Sequence, residues 1–86
     1  MYYVYIIYAI DFDKYYKGYS KRPHSRLEEH NLGLSRYTKH FRPWELVYIE
    51  SYDTKREALT RERSLKKYSK LQIRELIASS SNEVKN

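Results

Sequence analysis

Two side chains able to bind an anion and move a proton stand four residues apart in this sequence. Arg26 and His30 lie in a stretch with Pro23 near its start and Gly33 just beyond its end. Proline suits the first turn of a helix, and glycine suits the left-handed position that follows the last turn. Side chains at i and i+4 share one face of a helix. The spacing therefore predicts that a guanidinium and an imidazole converge on whatever lies opposite.

A second predicted helix has a carboxylate on the face that should pack against the core. Glu62 lies between Ala58 and Leu65 on the apolar stripe of that helix. A carboxylate in such a place is costly unless it is paired, hydrogen-bonded or bound to a metal ion. An ion pair would explain Glu62 as well as a metal would, and both explanations stay open. The possible partners are Arg26, Arg63 and Lys66.

Strands must hold these helices in place. Residues 2–8 are aromatic and apolar, the two Asp within 9–14 suit a turn, and residues 15–20 return as an antiparallel strand. Neither face of the first run is polar, which predicts a central strand covered on both sides. Trp44 opens a third strand, and we expect it to anchor the core. Alternation over residues 46–52 predicts one face with Leu46, Tyr48 and Glu50 and another with Val47, Ile49 and Ser51.

Helix-capping signals in the second half of the chain complete the expected fold. Thr54 with Glu57 predicts a capping box that opens the second helix, and Ser69 with Gln72 predicts another before a short final helix. The expected fold class is α/β of the α+β type, with a small three-stranded antiparallel sheet flanked by helices. We expect one domain over residues 1–78, followed by a disordered tail over residues 79–86.

Composition limits the classes to which the protein can belong. The chain has 86 residues, 41% of them hydrophobic, which suffices for one small core. It has no Cys, so disulfide frameworks and thiolate metal sites are excluded. No apolar run approaches the ~20 residues of a membrane span, and the N-terminal run lacks the features of a signal peptide. We therefore expect a cytoplasmic protein without membrane attachment.

Charge is distributed unevenly along the chain. The formal net charge is +6, and residues 14–43 hold eight Lys or Arg against two Glu. Residues 54–78 hold eight against three, while the rest of the chain is net acidic. Basic stretches interleaved with Tyr, Phe and His suit a phosphate backbone with some base stacking. The alternative is a solvated basic face, but the pattern favours nucleic acid.

Five segments in order carry a resemblance to a known family. They are VYI at 4–6, YKG at 16–18, RLEEHN at 26–31, RPWELVY at 42–48 and EALTRERSLKK at 57–67. Together they resemble the GIY-YIG endonuclease superfamily, and in particular its small stand-alone bacterial branch. The resemblance covers roughly residues 2–77. Val4 and Lys17 depart from the signature, and Lys17 puts the substrate geometry in question.

The resemblance implies a catalytic site and a cofactor. It assigns Glu62 as the single metal-binding glutamate, for Mg²⁺ or Mn²⁺, and Tyr5 and Tyr16 as the signature tyrosines that position or deprotonate the attacking water. Arg26 would bind the phosphate, and His30 would accept or relay a proton. A phenol has a pKa near ~10, so a role as base requires a nearby cation to depress it. Arg26 and Lys17 are the candidates for that cation.

The site requires one particular strand register. Tyr5 and Tyr16 share a face only if paired residue numbers sum to an odd value, for example Tyr5 opposite Gly18. That register would place the signature glycine beside Tyr5, where its missing side chain would leave room for a phosphate or a water molecule. An even sum would separate the tyrosines and exclude the site.

The implied activity is metal-dependent cleavage of phosphodiester bonds, selective for structure rather than sequence and suited to DNA repair or recombination. Lys17 and the connection carrying Arg36, Lys39 and Arg42 are the expected nucleic-acid contacts. We expect DNA in preference to RNA, and a monomer by default. The alternative is a non-catalytic nucleic-acid-binding module on the same scaffold.

Overall fold

The chain forms its strands and helices in the order that the sequence predicts. A computed structural model describes residues 1–84, and within them three strands and three helices are joined by connections that include short 3₁₀ turns at Ile10–Phe12 and Thr38–Phe41. The elements are β1 (Tyr2–Ala9), β2 (Lys14–Ser20), α1 (Pro23–Asn31), β3 (Glu45–Tyr52), α2 (Lys55–Leu65) and α3 (Lys70–Ile77). No helix in this described part of the chain has the length and apolar character needed to cross a bilayer.

β1 is the central strand of an antiparallel sheet with the order β2, β1, β3. Both of its faces are covered because both are apolar. Val4 and Ile6 pack with residues of α2 and α3 on one side of the sheet. Ile7 and Ala9 pack on the other side, where Leu27 of α1 covers them. The predicted α+β fold with a small antiparallel sheet is confirmed.

The helix ends follow the predicted chemistry. The Thr54 side chain accepts a hydrogen bond from the backbone N–H of Glu57 at the start of α2. Ser69 and Gln72 form a complete capping box at the start of α3. Gly33 follows α1 with a φ of +81°, a left-handed conformation that glycine adopts without steric cost. These local signals therefore place the helices correctly.

A β-bulge in β3 overturns the predicted alternation of that strand. Ile6 pairs with Tyr48, but the next residue of β1, Ile7, pairs with Leu46, so Val47 is an extra residue. Leu46 packs on the α1 side of the sheet, whereas Val47 and Tyr48 pack on the α2 side. The prediction that Leu46 and Tyr48 share a face is wrong. One inserted residue reverses the phase of a two-residue period, and alternation alone does not reveal it.

A buried carboxylate joins α2 to the sheet. Glu50 is 8% exposed and accepts hydrogen bonds from the hydroxyls of Tyr48 and Tyr52. Arg61 of α2 donates to the same carboxylate through Nε at 2.6 Å. Burial, followed by the bond to Glu50, raises the pKa of Tyr48 to about 12. A buried charge needs such partners, and these partners fix α2 against β3 at the residue before Glu62.

Residues 81–84 lie against β3, which has one partner strand in the sheet that the described residues form. Asn82 Nδ2 donates to one carbonyl of β3 and to one at the end of α3, both at 2.9 Å, and its Oδ1 accepts from Ile49 N. The N–H of Glu83 donates to the Ile49 carbonyl at 2.9 Å. These contacts lie beyond residue 78, where the sequence analysis predicts that the domain ends. Of the predicted disordered tail, positions 85 and 86 lie outside the described residues.

Candidate functional site

Tyr5 and His30 meet between β1 and α1. Tyr5 lies on the face of β1 that α1 covers, and His30 lies in the last turn of α1. The Tyr5 hydroxyl is 2.9 Å from His30 Nε2, and both side chains are buried. Two of the predicted site residues are thus in direct contact. The contact follows from a helix that packs across the central strand with its His facing inward.

Thr38 completes this hydrogen-bonded chain, and sequence reasoning missed it. Its Oγ1 is 2.6 Å from His30 Nδ1, and its carbonyl accepts from Trp44 Nε1 at 2.8 Å. Thr38 is fully buried and Trp44 is 4% exposed, so the prediction that Trp44 anchors the core is confirmed. A single hydroxyl residue in a polar connection carries no periodic signal. Only the folded connection shows that it orients an imidazole.

Tyr16 lies on the same face of the sheet as Tyr5. Tyr5 pairs with Gly18, so the paired numbers have an odd sum and the predicted register is confirmed. The Tyr16 ring centroid is 5.2 Å from that of His30, in an edge-on arrangement. The two signature tyrosines and the imidazole therefore form one cluster beside α1.

Gly18 lies beside Tyr5, but it does not leave room for a ligand. A Cβ at this position would come within 2.6 Å of the Tyr5 hydroxyl and 2.7 Å of the adjacent ring carbon. The expectation that the missing side chain would accommodate a phosphate or a water molecule is wrong. The end of the Tyr5 ring occupies that space, which allows its hydroxyl to reach His30.

Arg26 brings the positive charge of the cluster. It lies one helical turn before His30, and its side chain is 33% exposed. Its guanidinium pairs with Glu29 at 2.7 Å and lies near enough to Tyr5 to affect the ionisation of the phenol. The predicted convergence of Arg26 and His30 on one point is thus present, with one guanidinium edge held by Glu29.

The ionisation of Tyr5 differs from the expectation. Burial, followed by the neighbouring Tyr16, raises its pKa above the ordinary value. Arg26 acts in the opposite direction but does not prevail, and the negative charge of Glu62 adds to the increase. Arg26 is thus a cation that depresses this pKa, as expected, but burial outweighs it, and Lys17 has no part in the shift. A phenol is neutral at physiological pH in any case, and removal of the Tyr5 hydroxyl from water makes its ionisation still less favourable.

His30 is also neutral at physiological pH. Burial and then the positive charge of Arg26 lower its pKa to about 4, against the weaker opposite effect of Glu29. A neutral imidazole has one donor and one acceptor nitrogen. In the tautomer with its proton on Nδ1, His30 donates to Thr38 Oγ1 and accepts from the Tyr5 hydroxyl. The chain from Tyr5 to Thr38 then has every polar atom paired.

Glu62 lies at the rim of the α2 core. Its neighbours on that face, Ala58 and Leu65, are fully buried, and its own side chain is 18% exposed. Lys66 stands 3.6 Å from the carboxylate and is itself 58% exposed, so one of the predicted ion pairs is present in a loose form. Among residues 1–84 no group of three His, Cys, Asp or Glu could hold a metal ion. A single carboxylate remains as the possible ligand.

The connection between α1 and β3 carries the three predicted basic contacts. Arg36 and Lys39 are exposed. Arg42 is exposed too, but its side chain donates to the carbonyls of Lys39 at 3.0 Å and Asn31 at 3.4 Å. Arg42 therefore also holds the connection against the end of α1, a structural function that the sequence did not indicate.

Other cations lie on two further surfaces. Lys17 lies on the opposite face of β2 from Tyr16, and burial together with the nearby charge of Lys66 lowers its pKa. A cleft of about 400 Å³ opens beside Arg26, and sequence reasoning did not identify its other two cations, Lys21 and Lys55. It is lined by Tyr2, Tyr19, Ser20, Lys21, Arg26 and Lys55.

Known proteins resemble this chain along most of its length. The GIY-YIG catalytic domain family matches residues 1–74. UPF0213 proteins of Staphylococcus aureus strains Mu3 and MW2 are each 46% identical to this chain over 69 residues, covering 79% of this chain and 83% of the relative. The solution NMR structure of a UPF0213 protein from Bacillus halodurans superposes with a TM-score of 0.59 at 28% identity, covering 96% of this chain and 89% of that chain. The chain belongs to the GIY-YIG family of nuclease domains.

Proposed function

We propose that this protein is a metal-dependent endonuclease that hydrolyses phosphodiester bonds and selects its substrate by structure rather than by sequence. The observation that carries the proposal is the convergence of Tyr5, Tyr16, Arg26 and His30 beside α1, with the charge of Glu62 acting on the Tyr5 hydroxyl. We further propose DNA in preference to RNA, a monomer, and a cytoplasmic role in repair or recombination.

Tyr5 and His30 would together accept the proton of the attacking water. The water proton would pass to the Tyr5 oxygen while the phenol proton passes to His30 Nε2, 2.9 Å away. The water oxygen would form the new bond to phosphorus, the bond to the leaving oxygen would break, and the leaving oxygen would take a proton from bulk water. Because the His30 pKa is lowered to about 4, the imidazolium would be short-lived and would lose its proton to solvent. Tyr16 would help to position the water.

Cations would hold the substrate backbone. The planar fork of Arg26 suits two non-bridging oxygens of the scissile phosphate, and its partly exposed side chain can reach them. Lys21 and Lys55 in the adjacent cleft would bind a flanking phosphate. On the other side of the cluster we assign Arg36, Lys39 and Arg42, with Lys17 across the sheet. These contacts read the backbone and give no base specificity.

Glu62 would hold the metal ion, Mg²⁺ or Mn²⁺. The donor set fits because Mg²⁺ is commonly held by one or two carboxylates, with water and substrate phosphate in its other positions. Glu62 is partly exposed, and within residues 1–84 its only ion-pair partner is Lys66, 3.6 Å away. When bound, the ion would neutralise charge on the phosphate and on the leaving oxygen.

The test is cleavage of labelled single-stranded, branched and duplex DNA and of RNA, each with Mg²⁺, Mn²⁺ or EDTA. The wild type is compared with Glu62→Gln and with Glu28→Gln, which removes the same charge from an exposed position of α1. We expect metal-dependent cleavage that falls by at least about 100-fold in Glu62→Gln alone. Affinity for nucleic acid should persist in all three proteins and should decrease with salt.

Two outcomes would contradict the proposal. Cleavage that persists in Glu62→Gln would mean that the site is wrongly assigned. Salt-sensitive binding without cleavage in any of the proteins would favour the alternative, a non-catalytic binding module in which Lys66 permanently neutralises Glu62.

A further inference from the structure

An exposed group of aromatic side chains continues outward from Tyr16. We call Phe12, Tyr37 and Phe41 the aromatic patch. The ring of Tyr37 is 6.1 Å from that of Tyr16, and Phe41 is 5.2 Å from Tyr37. Phe12 packs edge-on against Phe41 at 5.3 Å. The patch is therefore continuous with the cluster that contains Tyr5 and His30.

Two rings of the aromatic patch are exposed, whereas Phe41 is partly buried and packs against the core. Phe12 is 51% exposed and Tyr37 is 49% exposed. Phe12 lies in the turn between β1 and β2, whereas Tyr37 and Phe41 lie in the connection between α1 and β3. Contiguous exposed aromatic surface is a common sign of a binding surface in a soluble domain.

The ammonium group of Lys14 lies over two rings of the aromatic patch. Lys14 Nζ is 4.6 Å from the centroid of the Phe41 ring and 5.8 Å from that of Tyr37, and it donates to the Tyr37 hydroxyl at 3.3 Å. Arg36 and Lys39 are exposed within the same connection. An apolar protein partner would gain nothing from this concentration of positive charge. Single-stranded nucleic acid presents flat bases and phosphates together, which match rings and cations respectively.

We propose that the aromatic patch is a stacking surface for the unpaired bases of a single-stranded nucleic acid whose backbone passes the Tyr16 cluster. The inference rests on the proposed function, since it supplies that function with a substrate class. A continuous duplex keeps its bases stacked inside and offers no free base face to Phe12 or Tyr37. The patch therefore selects for single-stranded segments, including those at branches and flaps.

The experiment measures binding without metal, so that cleavage does not interfere. The variant Phe12→Ser/Tyr37→Ser is compared with the wild type and with Leu71→Ser, which removes an even more exposed apolar side chain from α3. The probes are a fluorescein-labelled oligothymidine of about 12 nucleotides, which fits typical single-strand site sizes, and a blunt duplex of the same length. Affinity is read by fluorescence anisotropy.

We expect the double variant to lose at least about 10-fold in affinity for the single strand, given the usual contribution of base stacking. Its affinity for the duplex should change by less than about 2-fold, because phosphate contacts remain. Leu71→Ser should bind both probes like the wild type. Equal losses for both probes, or no loss for either, would overturn the inference.

A second variant guards against a folding defect. Phe12→Trp retains an aromatic ring at an exposed position, and its emission should be quenched by the single strand but not by the duplex. Failure of the single strand to quench it would overturn the inference. A double variant that instead changes only its oligomeric state in sedimentation, with single-strand binding intact, would assign the patch to self-association.

Failure of this inference can be distinguished from failure of the proposed nuclease activity. If the double variant binds the single strand normally while Glu62→Gln abolishes cleavage, the nuclease proposal stands and the stacking surface is refuted. If single-strand binding requires the patch but none of the proteins cleaves, the stacking surface stands and the nuclease proposal is refuted.

Discussion

The Tyr5 hydroxyl and the His30 imidazole are both uncharged, although a base and a proton acceptor are what hydrolysis requires. Burial raises the pKa of the phenol and lowers that of the imidazole to about 4. Thr38 holds the ring from its other nitrogen at 2.6 Å. In the resting protein these hydrogen bonds therefore orient the two groups, and neither group carries a charge. A phosphate bound beside Arg26 would bring the negative charge that favours an imidazolium.

The low pKa of His30 predicts a pH-dependent stability. Between pH 6.5 and about 4 the unfolded chain binds a proton at this position and the folded chain does not, so stability falls as pH falls through that interval. The loss should reach at most about 3–4 kcal/mol, at 1.36 kcal/mol for each unit of pKa. Urea unfolding of the wild type and of His30→Gln at several pH values measures it.

The matched control is His24→Gln, which removes an exposed histidine from the same helix. His24→Gln should retain the full slope of stability against pH, whereas His30→Gln should lose that part of it. A slope that is unchanged in His30→Gln would show that His30 titrates normally in the folded protein.

At the scale of elements, the hairpin register decides whether the tyrosines meet. β1 and β2 pair with Tyr5 opposite Gly18, and the ring of Tyr5 lies over the position that a Cβ would fill. Glycine is therefore required at position 18 because the Tyr5 side chain of the neighbouring strand fills the space of a Cβ. β3 pairs with the other edge of β1, and its Glu50 carboxylate binds Arg61 and so fixes α2 against the sheet.

Gly18→Ala should displace the Tyr5 ring. The new Cβ would lie 2.6 Å from the hydroxyl, too close for either atom to remain in place. We expect a destabilisation of about 1–3 kcal/mol, as for other overpacked sites, and a loss of cleavage per folded molecule as the bond to His30 breaks. Urea unfolding and single-turnover cleavage measure the two effects.

Gly33→Ala provides the comparison, because it strains a left-handed position by about 1–2 kcal/mol and its Cβ would meet the Arg42 guanidinium at 2.8 Å rather than Tyr5. A displaced Arg42 would weaken substrate binding, so the two variants are compared only under saturating conditions. The single-turnover rate of Gly33→Ala should match the wild type at saturating substrate. If Gly18→Ala cleaves as fast as Gly33→Ala, the placement of the Tyr5 hydroxyl does not limit the reaction.

For the molecule as a whole, the C-terminal segment extends the folded unit beyond α3. Residues 81–84 lie against β3, whose far side has no strand partner among the described residues. Such an edge offers free backbone groups, and a covering segment protects it from pairing with other chains. Asn82 satisfies groups on β3 and on α3 at once.

Ending the chain after Ala78 should therefore lower stability by about 1–3 kcal/mol, the cost of several lost hydrogen bonds and one exposed edge. Asn82→Ala in the full chain should reproduce much of the loss, and Ser80→Ala should reproduce none of it. Denaturant midpoints measure these changes. Equal midpoints for the truncated and full chains would show that the domain ends at residue 78.

The sequence by itself determined what depends on near neighbours along the chain. The position of Gly33 ends α1, the apolar faces of residues 2–8 make β1 central, and the spacing from Ala58 to Leu65 puts Glu62 on the packing side. Helix periods and end signals act within a few residues, so they can be read without knowing the partners. The five ordered motifs also identified the family.

The tertiary structure decided what depends on distant partners. Only packing shows that Val47 is the bulged residue, that Thr38 holds His30, and that Glu50 is neutralised by Arg61. The direction of the Tyr5 pKa shift was likewise undetermined, because burial and Arg26 oppose each other and burial prevails. Desolvation depends on every atom around a group, and those atoms come from parts of the chain far from that group in sequence.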